Sequence, residues 1–148
     1  MAPTGPVLFA YDGSDLAKFA VEQAAHELTP GRQAIVLCVW QPADVGFVPA
    51  SGKHLDALNA DEVRQAAEET AAEGAALAES HGFRAESLTV EAAPTWKGIA
   101  EVAEERGATL IVLAPHRRHG LVGHLLGSVT SAVIAHTSLA VLVVHQQT

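Results

Sequence analysis

The residues best suited to chemistry in this sequence lie in a loop that precedes a C-terminal helix. The apolar run Thr109–Ala114 is followed by a basic loop with Arg117 and Arg118, and Gly127-Ser128 then opens a helix. The first N–H groups of a helix are unpaired and lie at the positive end of its dipole. A strand, a loop and a helix start in this order are therefore typical of a phosphate-binding site.

Other chemistries fit the sequence less well. His116, His119 and His124 suggest a metal site, but no cysteine is close and two arginines would repel a cation. Ser14 and Ser128 lack the Gly-x-Ser-x-Gly turn of a hydrolase nucleophile, and the chain has no Walker lysine motif. We therefore expect a protein without catalytic activity, and a slow nucleotide hydrolase stays open as an alternative.

Apolar runs and helical patterns alternate along the chain. The predicted strands are Val7–Tyr11, Ala34–Trp40, Ala85–Glu91, Thr109–Ala114 and Ala140–Val144. The predicted helices are one capped by Ser14 and ended by Pro30-Gly31, the alanine-rich Leu55–His81, Trp96–Arg106, and one that begins at Gly127-Ser128. This alternation predicts a single-domain α/β fold, a doubly wound and mostly parallel five-stranded sheet with helices on both faces. Ligands of such folds bind beyond the carboxyl ends of the strands, where the strand order reverses.

Length and composition narrow the class of protein further. The 148 residues suffice for one domain over 1–148, and the formal charge of -8 argues against a nucleic-acid partner. Cys38 is the only cysteine and lies in an apolar run, where a buried thiol is expected. No apolar run approaches the roughly 20 residues that span a bilayer, and Met1–Pro6 lacks a signal-peptide pattern. We expect a cytoplasmic protein without membrane contact; Gln41–His54 is a surface loop of unassigned role.

The ordered set of motifs resembles the universal stress protein family over essentially the whole chain. The opening VLFAYDGSDLAKFAVEQAAHEL resembles the family's first strand, Asp-x-Ser turn and first helix. The C-terminal part resembles its signature down to the run Leu-Leu-Gly-Ser-Val. The resemblance implies an adenine nucleotide alpha hydrolase-like fold with strand order 3-2-1-4-5, and a role in stress or persistence physiology. Some members bind ATP, and others do not.

The chain departs from the family's ATP-binding motif, Gly-x2-Gly-x9-Gly-Ser/Thr. Aligned on Gly127-Ser128, the motif places Ala114 and Arg117 where ATP-binding members have glycine. Ala114 is held extended by Pro115, which itself has no N–H to offer a phosphate. Arg117 either fills the pocket or contacts a phosphate itself. The family also tends to have glycine where this chain has Ala92.

Other positions of the site match the family. By resemblance, Asp12 lies near the adenosine part, the backbone of Val39 meets adenine, and Gly127, Ser128 and Val129 begin the phosphate-binding helix. Two interpretations stay open. One is a non-catalytic, dimeric stress-response protein with a degraded nucleotide pocket, which acts through protein partners or an unidentified small ligand. The other is a regulator that binds ATP or another adenine nucleotide, with Arg117 and Arg118 assisting Gly127-Ser128.

The last predicted strand suggests a homodimer. Ala140–Val144 is fully apolar and lies at the sheet edge in this family's strand order. An unpaired edge strand offers backbone N–H and C=O groups to another chain. Pairing with the same strand of a second copy across a two-fold axis would cover it. We therefore predict a homodimer through Leu139–His145.

Overall fold

A parallel sheet organises residues 5–41, 60–115 and 127–145, which are the residues that the computed structural model describes. The elements in this part of the chain are β1 (Val7–Ala10), α1 (Asp15–Glu27), β2 (Gln33–Trp40), α2 (Ala60–Ser80), β3 (Arg84–Glu91), α3 (Thr95–Glu105), β4 (Leu110–Leu113), α4 (Ser128–His136) and β5 (Ala140–Val143). The strand order is β3-β2-β1-β4-β5, and every described strand pair is parallel. The predicted architecture is confirmed.

Several element ends differ from the sequence prediction by one or two residues. Tyr11, Ala114 and Val144 were predicted inside strands and lie just beyond them. A single backbone hydrogen bond continues past the strand at two of these positions: the N–H of Tyr11 donates to Leu37 O (2.8 Å), and that of Val144 to Leu113 O (2.9 Å). Residues 42–59 lie outside the described residues, and with them the Gln41–His54 loop after its first residue and the predicted start of the helix at Leu55.

The helices cover both faces of the sheet. Side chains of a strand alternate between faces: Phe9 and Val36 lie in the core beneath α1 and α2, whereas Leu8 and Ile35 lie beneath α3 and α4. On α1 the buried residues are Ala17, Ala20, Val21 and Ala24. Their small side chains allow the helix to lie close to the sheet.

At Gly74, α2 packs directly against Tyr11 and Val36. A Cβ atom at this position would lie 2.7 Å from the Tyr11 ring and 2.7 Å from Cγ1 of Val36. These contacts are shorter than real Cβ contacts, so the helix seats against the sheet only because residue 74 has no side chain.

We expect Gly74→Val to lower the free energy of unfolding by at least about 2 kcal/mol, because overpacking a filled core typically costs about 1–3 kcal/mol and the clash here involves two neighbours. Ala76→Val places the same side chain at an exposed position of α2. That control should cost less than about 1 kcal/mol, the range of helix propensities. Denaturant unfolding of both variants makes the comparison, and equal losses would contradict the packing argument.

Candidate functional site

The strand order reverses between β1 and β4. The chain moves outward from β1 to β2 and β3, then crosses to β4 on the opposite side of β1. The loops that leave β1 and β4 therefore diverge at their carboxyl ends, which is where sheets of this type bind ligands. The residues that follow these two strands are Tyr11 to Ser14, and Ala114 with Pro115.

The loop after β1 is a tight turn built by Asp12. Its Oδ1 accepts a hydrogen bond from the backbone N–H of Ser14 (2.9 Å), and Gly13 has a positive φ of 81°. Ser14 then caps α1, since its Oγ accepts from the N–H of Ala17 (3.1 Å). The cap predicted at Ser14 is confirmed. The Asp12 carboxylate is thus fixed at the switch point by the turn that it forms.

The helix α4 begins at the same edge of the sheet. Gly127 is its N-cap, with φ 81°, and no side chain caps the helix. The predicted helix start at Gly127-Ser128 is confirmed: Ser128 is the first helical residue, and the positive φ of the cap favours glycine there. Val129 is 36% exposed. The first turn of α4 therefore offers backbone N–H groups that no side chain of its own cap occupies.

The backbone N–H and C=O groups of Val39 point toward the side of β2 on which β1 lies, at a level past the last residue of β1. The N–H of Tyr11 donates to Leu37 O (2.8 Å), whereas the N–H of Ala92, which follows β3, donates to Trp40 O (3.1 Å). Successive residues of a strand direct their N–H and C=O groups to opposite neighbours. The polar groups of Val39 therefore point to the β1 side, like those of Leu37. Since β1 ends just before Tyr11, they reach the edge where the Asp12 turn begins.

Trp40 lies in the core. It packs with Cys38, Val63, Ala67 and Ala71 beneath α2. The buried position predicted for Cys38 is confirmed as well. Burial, followed by the nearby Asp12 charge, raises the pKa of the Cys38 thiol to about 12. The thiol is therefore protonated and unreactive at neutral pH.

Tyr11 is a buried polar group next to the switch point. It is 3% exposed, and its hydroxyl has no hydrogen-bond partner among the described residues. Burial raises the pKa of Tyr11 to about 12, with smaller contributions from the charges of Glu73 and Asp12. The Asp12 carboxylate that forms the turn thus also contributes to keeping the Tyr11 hydroxyl protonated.

The predicted site residues fall into two groups. Asp12, Val39, Ala114 and Gly127 to Val129 are described, and Ala114 is half-buried against the core beneath α1. Arg117 and Arg118 lie outside the described residues, as do the three loop histidines. In the ranges that the structure does describe, no group of three or more His, Cys, Asp or Glu side chains could hold a metal ion.

Sequence reasoning missed one polar residue of this edge. Gln41 follows β2 directly, is 7% exposed, and its side chain is hydrogen-bonded to Ala92 and Thr95. A glutamine after an apolar strand is an ordinary loop residue in sequence terms. Its burial depends on the turn after β3, which only the folded chain brings near.

The chain belongs to the universal stress protein family, whose family model matches residues 4–145. The sheet order and the helices on both faces are those of this family's fold. No curated protein sequence matches the chain significantly. Among the described residues, none of the helices is long and apolar enough to cross a membrane.

Solved structures with the same fold cover nearly the whole chain. The hypothetical protein MJ0577 is 23% identical with a TM-score of 0.76, and the match covers 99% of each chain. A universal stress protein from Archaeoglobus fulgidus in complex with dAMP is 25% identical with a TM-score of 0.65, covering 96% of this chain and 98% of that one. A universal stress protein in complex with cAMP is 23% identical with a TM-score of 0.62, covering 96% and 98%.

Tyr11 is the only tyrosine, so the absorbance of tyrosinate reports on this site alone. We expect the native protein to titrate at a pH near 12, against about 10 for a free phenol. Because the folded pKa is raised, this contribution to stability is complete below about pH 10 and is lost as the pH rises towards 12. The unfolded chain in denaturant is the control, and equal pKa values in both states would contradict the burial of the hydroxyl.

Proposed function

We propose that this protein is a non-catalytic stress-response regulator that binds an adenine nucleotide at the carboxyl edge of its sheet. The observation that carries the proposal is the uncapped start of α4 at Gly127, which shares this edge with the Asp12 turn. Unpaired N–H groups at the positive end of a helix favour a phosphate. We propose no reaction step, because Asp12 forms its turn and the Ser14 hydroxyl caps α1.

The β2 side of the edge suits the base. The N–H and C=O groups of Val39 are a donor and an acceptor on one residue, which complement the N1 acceptor and the amino donor of adenine. The Archaeoglobus fulgidus neighbour in complex with dAMP supports this choice of base. Arg117 and Arg118 are proposed to add charge-assisted hydrogen bonds to the phosphates.

A second candidate function is a nucleotide-free protein that acts through protein partners. Ala114 and Pro115 favour it, because they stand at the end of β4 where backbone flexibility and an N–H donor would serve a phosphate. Pro115 is buried and Ala114 packs against the core. The two functions differ in whether any nucleotide binds with appreciable affinity.

Titration calorimetry with ATP, AMP and cyclic AMP separates these functions, together with mass spectrometry of any ligand released by denaturation. We expect ATP to bind and to be recovered intact. Asp12→Ala and Arg117→Ala should each weaken binding by about tenfold or more, the size of a charge-assisted hydrogen bond. Asp15→Ala, which removes an exposed carboxylate from the first turn of α1, is the matched control. No binding and no retained ligand would establish the nucleotide-free alternative.

We also propose that the protein is a homodimer through Leu139–His145, and the two edges of the sheet support this assignment. At the β3 edge, Glu86 forms an ion pair with Arg106, and the strand carries further exposed polar side chains. Charges at an edge discourage pairing with another chain. The β5 edge, Ala140–Val143, carries none.

The surroundings of β5 are apolar too. A groove of about 580 Å³ lies between α1 and β5, with Phe19, Leu28 and Leu142 among its lining residues. On α4, which precedes β5, Ile134 is 43% exposed. An antiparallel pair of β5 strands about a two-fold axis would extend the sheet and reduce the exposure of these side chains.

Val141→Lys or Val143→Lys should therefore produce monomer or aggregate in sizing experiments with light scattering. A buried lysine at the strand interface would leave an unpaired charge out of water. Ser87→Lys places the same charge on the exposed β3 edge and should leave the dimer intact. An unchanged dimer in both β5 variants, or a wild-type monomer, would refute this interface.

A further inference from the structure

The carboxyl ends of β2 and β3 are joined by a buried side-chain amide. Nε2 of Gln41 donates to the carbonyl oxygen of Ala92 (2.8 Å) and to Oγ1 of Thr95 (2.9 Å). A side-chain amide nitrogen carries two hydrogens, and both are used here. One residue thus binds the end of β2 to the turn after β3 and to the first residue of α3.

These bonds fix the start of α3 directly behind Val39. A Cβ atom on Gly98 would lie 2.7 Å from Cβ of Ala92 and 3.3 Å from Cγ1 of Val39. Because residue 98 has no side chain, the backbone of α3 packs directly against the side chains of Ala92 and Val39. Any shift of the Ala92 turn or of α3 would be transmitted to Val39.

The hydrogen bonds of Gln41 are well protected. The residue is 7% exposed, and a hydrogen bond away from water is stronger than one at the surface. Losing its donors would leave the Ala92 carbonyl and the Thr95 hydroxyl without this partner. Buried polar groups in that state rearrange or admit water.

From this geometry we infer that Gln41 is a positioning residue for the base end of the nucleotide site. It holds Ala92, Thr95 and α3 so that the backbone N–H and C=O of Val39 keep a fixed direction toward the base. The inference rests on the proposed nucleotide binding. The proposed role of Gln41 concerns only the part of the site that would hold the base. The start of α4, which would hold the phosphates, lies on the other side of β1, with β4 and β5.

Three variants test this role. Gln41→Met keeps the length of the side chain and removes both donors, and Thr95→Val keeps the shape and removes the hydroxyl. Thr95→Ser, which retains the acceptor, is the matched control. We expect the first two to weaken ATP binding by roughly three- to tenfold, the size of a lost buried hydrogen bond, and the serine variant to stay within about twofold of wild type.

The role at the base end is tested by adenosine, AMP and ATP in calorimetry. A base-end effect weakens all three by the same factor, whereas a loss that grows with the number of phosphates would overturn the inference. So would a variant with a lower thermal midpoint and unchanged affinities, because that is the result of a purely structural role.

Hydrogen exchange in the ligand-free protein separates this inference from the proposed function. Gln41→Met should accelerate exchange in peptides that cover residues 37–41 and 90–98, and Thr95→Ser should not. Unchanged exchange in Gln41→Met would overturn the inference whatever binds. Faster exchange in a protein that binds neither adenosine nor ATP would refute the nucleotide proposal and, with it, the role at the base end.

Discussion

The carboxyl end of β2 extends beyond that of β1, and the geometry of the candidate site depends on this difference in length. The last β1 pairing joins Ala10 to Leu37, whereas the pairing with β3 continues to Trp40 and Glu91. A β2 residue in the overhang therefore pairs with β3 on one side and lies beyond the last pairing with β1 on the other. Val39 is the residue whose backbone faces the β1 side. Because Val39 lies in the overhang, its N–H and C=O groups form a hydrogen-bond donor and acceptor pair at the switch point.

The overhang is stable because both faces of β2 are covered at short range. Gly74 allows α2 to contact Tyr11 and Val36 on one face, and Gly98 allows α3 to contact Val39 on the other. Side chains at these two glycines would move the helices outward by about the length of a bond, and cores at organic-crystal density do not absorb such shifts freely. Close helix packing and the direction of the Val39 backbone groups are therefore parts of one arrangement.

The sequence predicts the fold well and the site only in part. The strand order came from the resemblance to the family, whereas the alternation of strands and helices, the cap at Ser14 and the buried Cys38 follow from local apolar patterns and turn chemistry, which act over a few residues. The helix start at Gly127-Ser128 was predicted, but the positive φ at Gly127 and the absence of a side-chain cap there are properties of the folded loop. Gln41 has no local signal at all, because its partner Ala92 lies 51 residues away along the chain.

A contact between α3 and α4 links the surroundings of Val39 to the elements next to β5. The Trp96 ring, near the start of α3, stacks on His136 with centroids 4.1 Å apart, and His136 is the last residue of α4. Nδ1 of His136 lies 2.8 Å from Ala132 O, which fixes the ring on the helix. Val39 packs against Gly98 of α3, and Trp96 of α3 packs against His136 of α4. These contacts link Val39 to α4, which begins after Gly127 and ends before β5. The nine residues of α4 thus connect Gly127, at the carboxyl edge of the sheet, to the segment before β5.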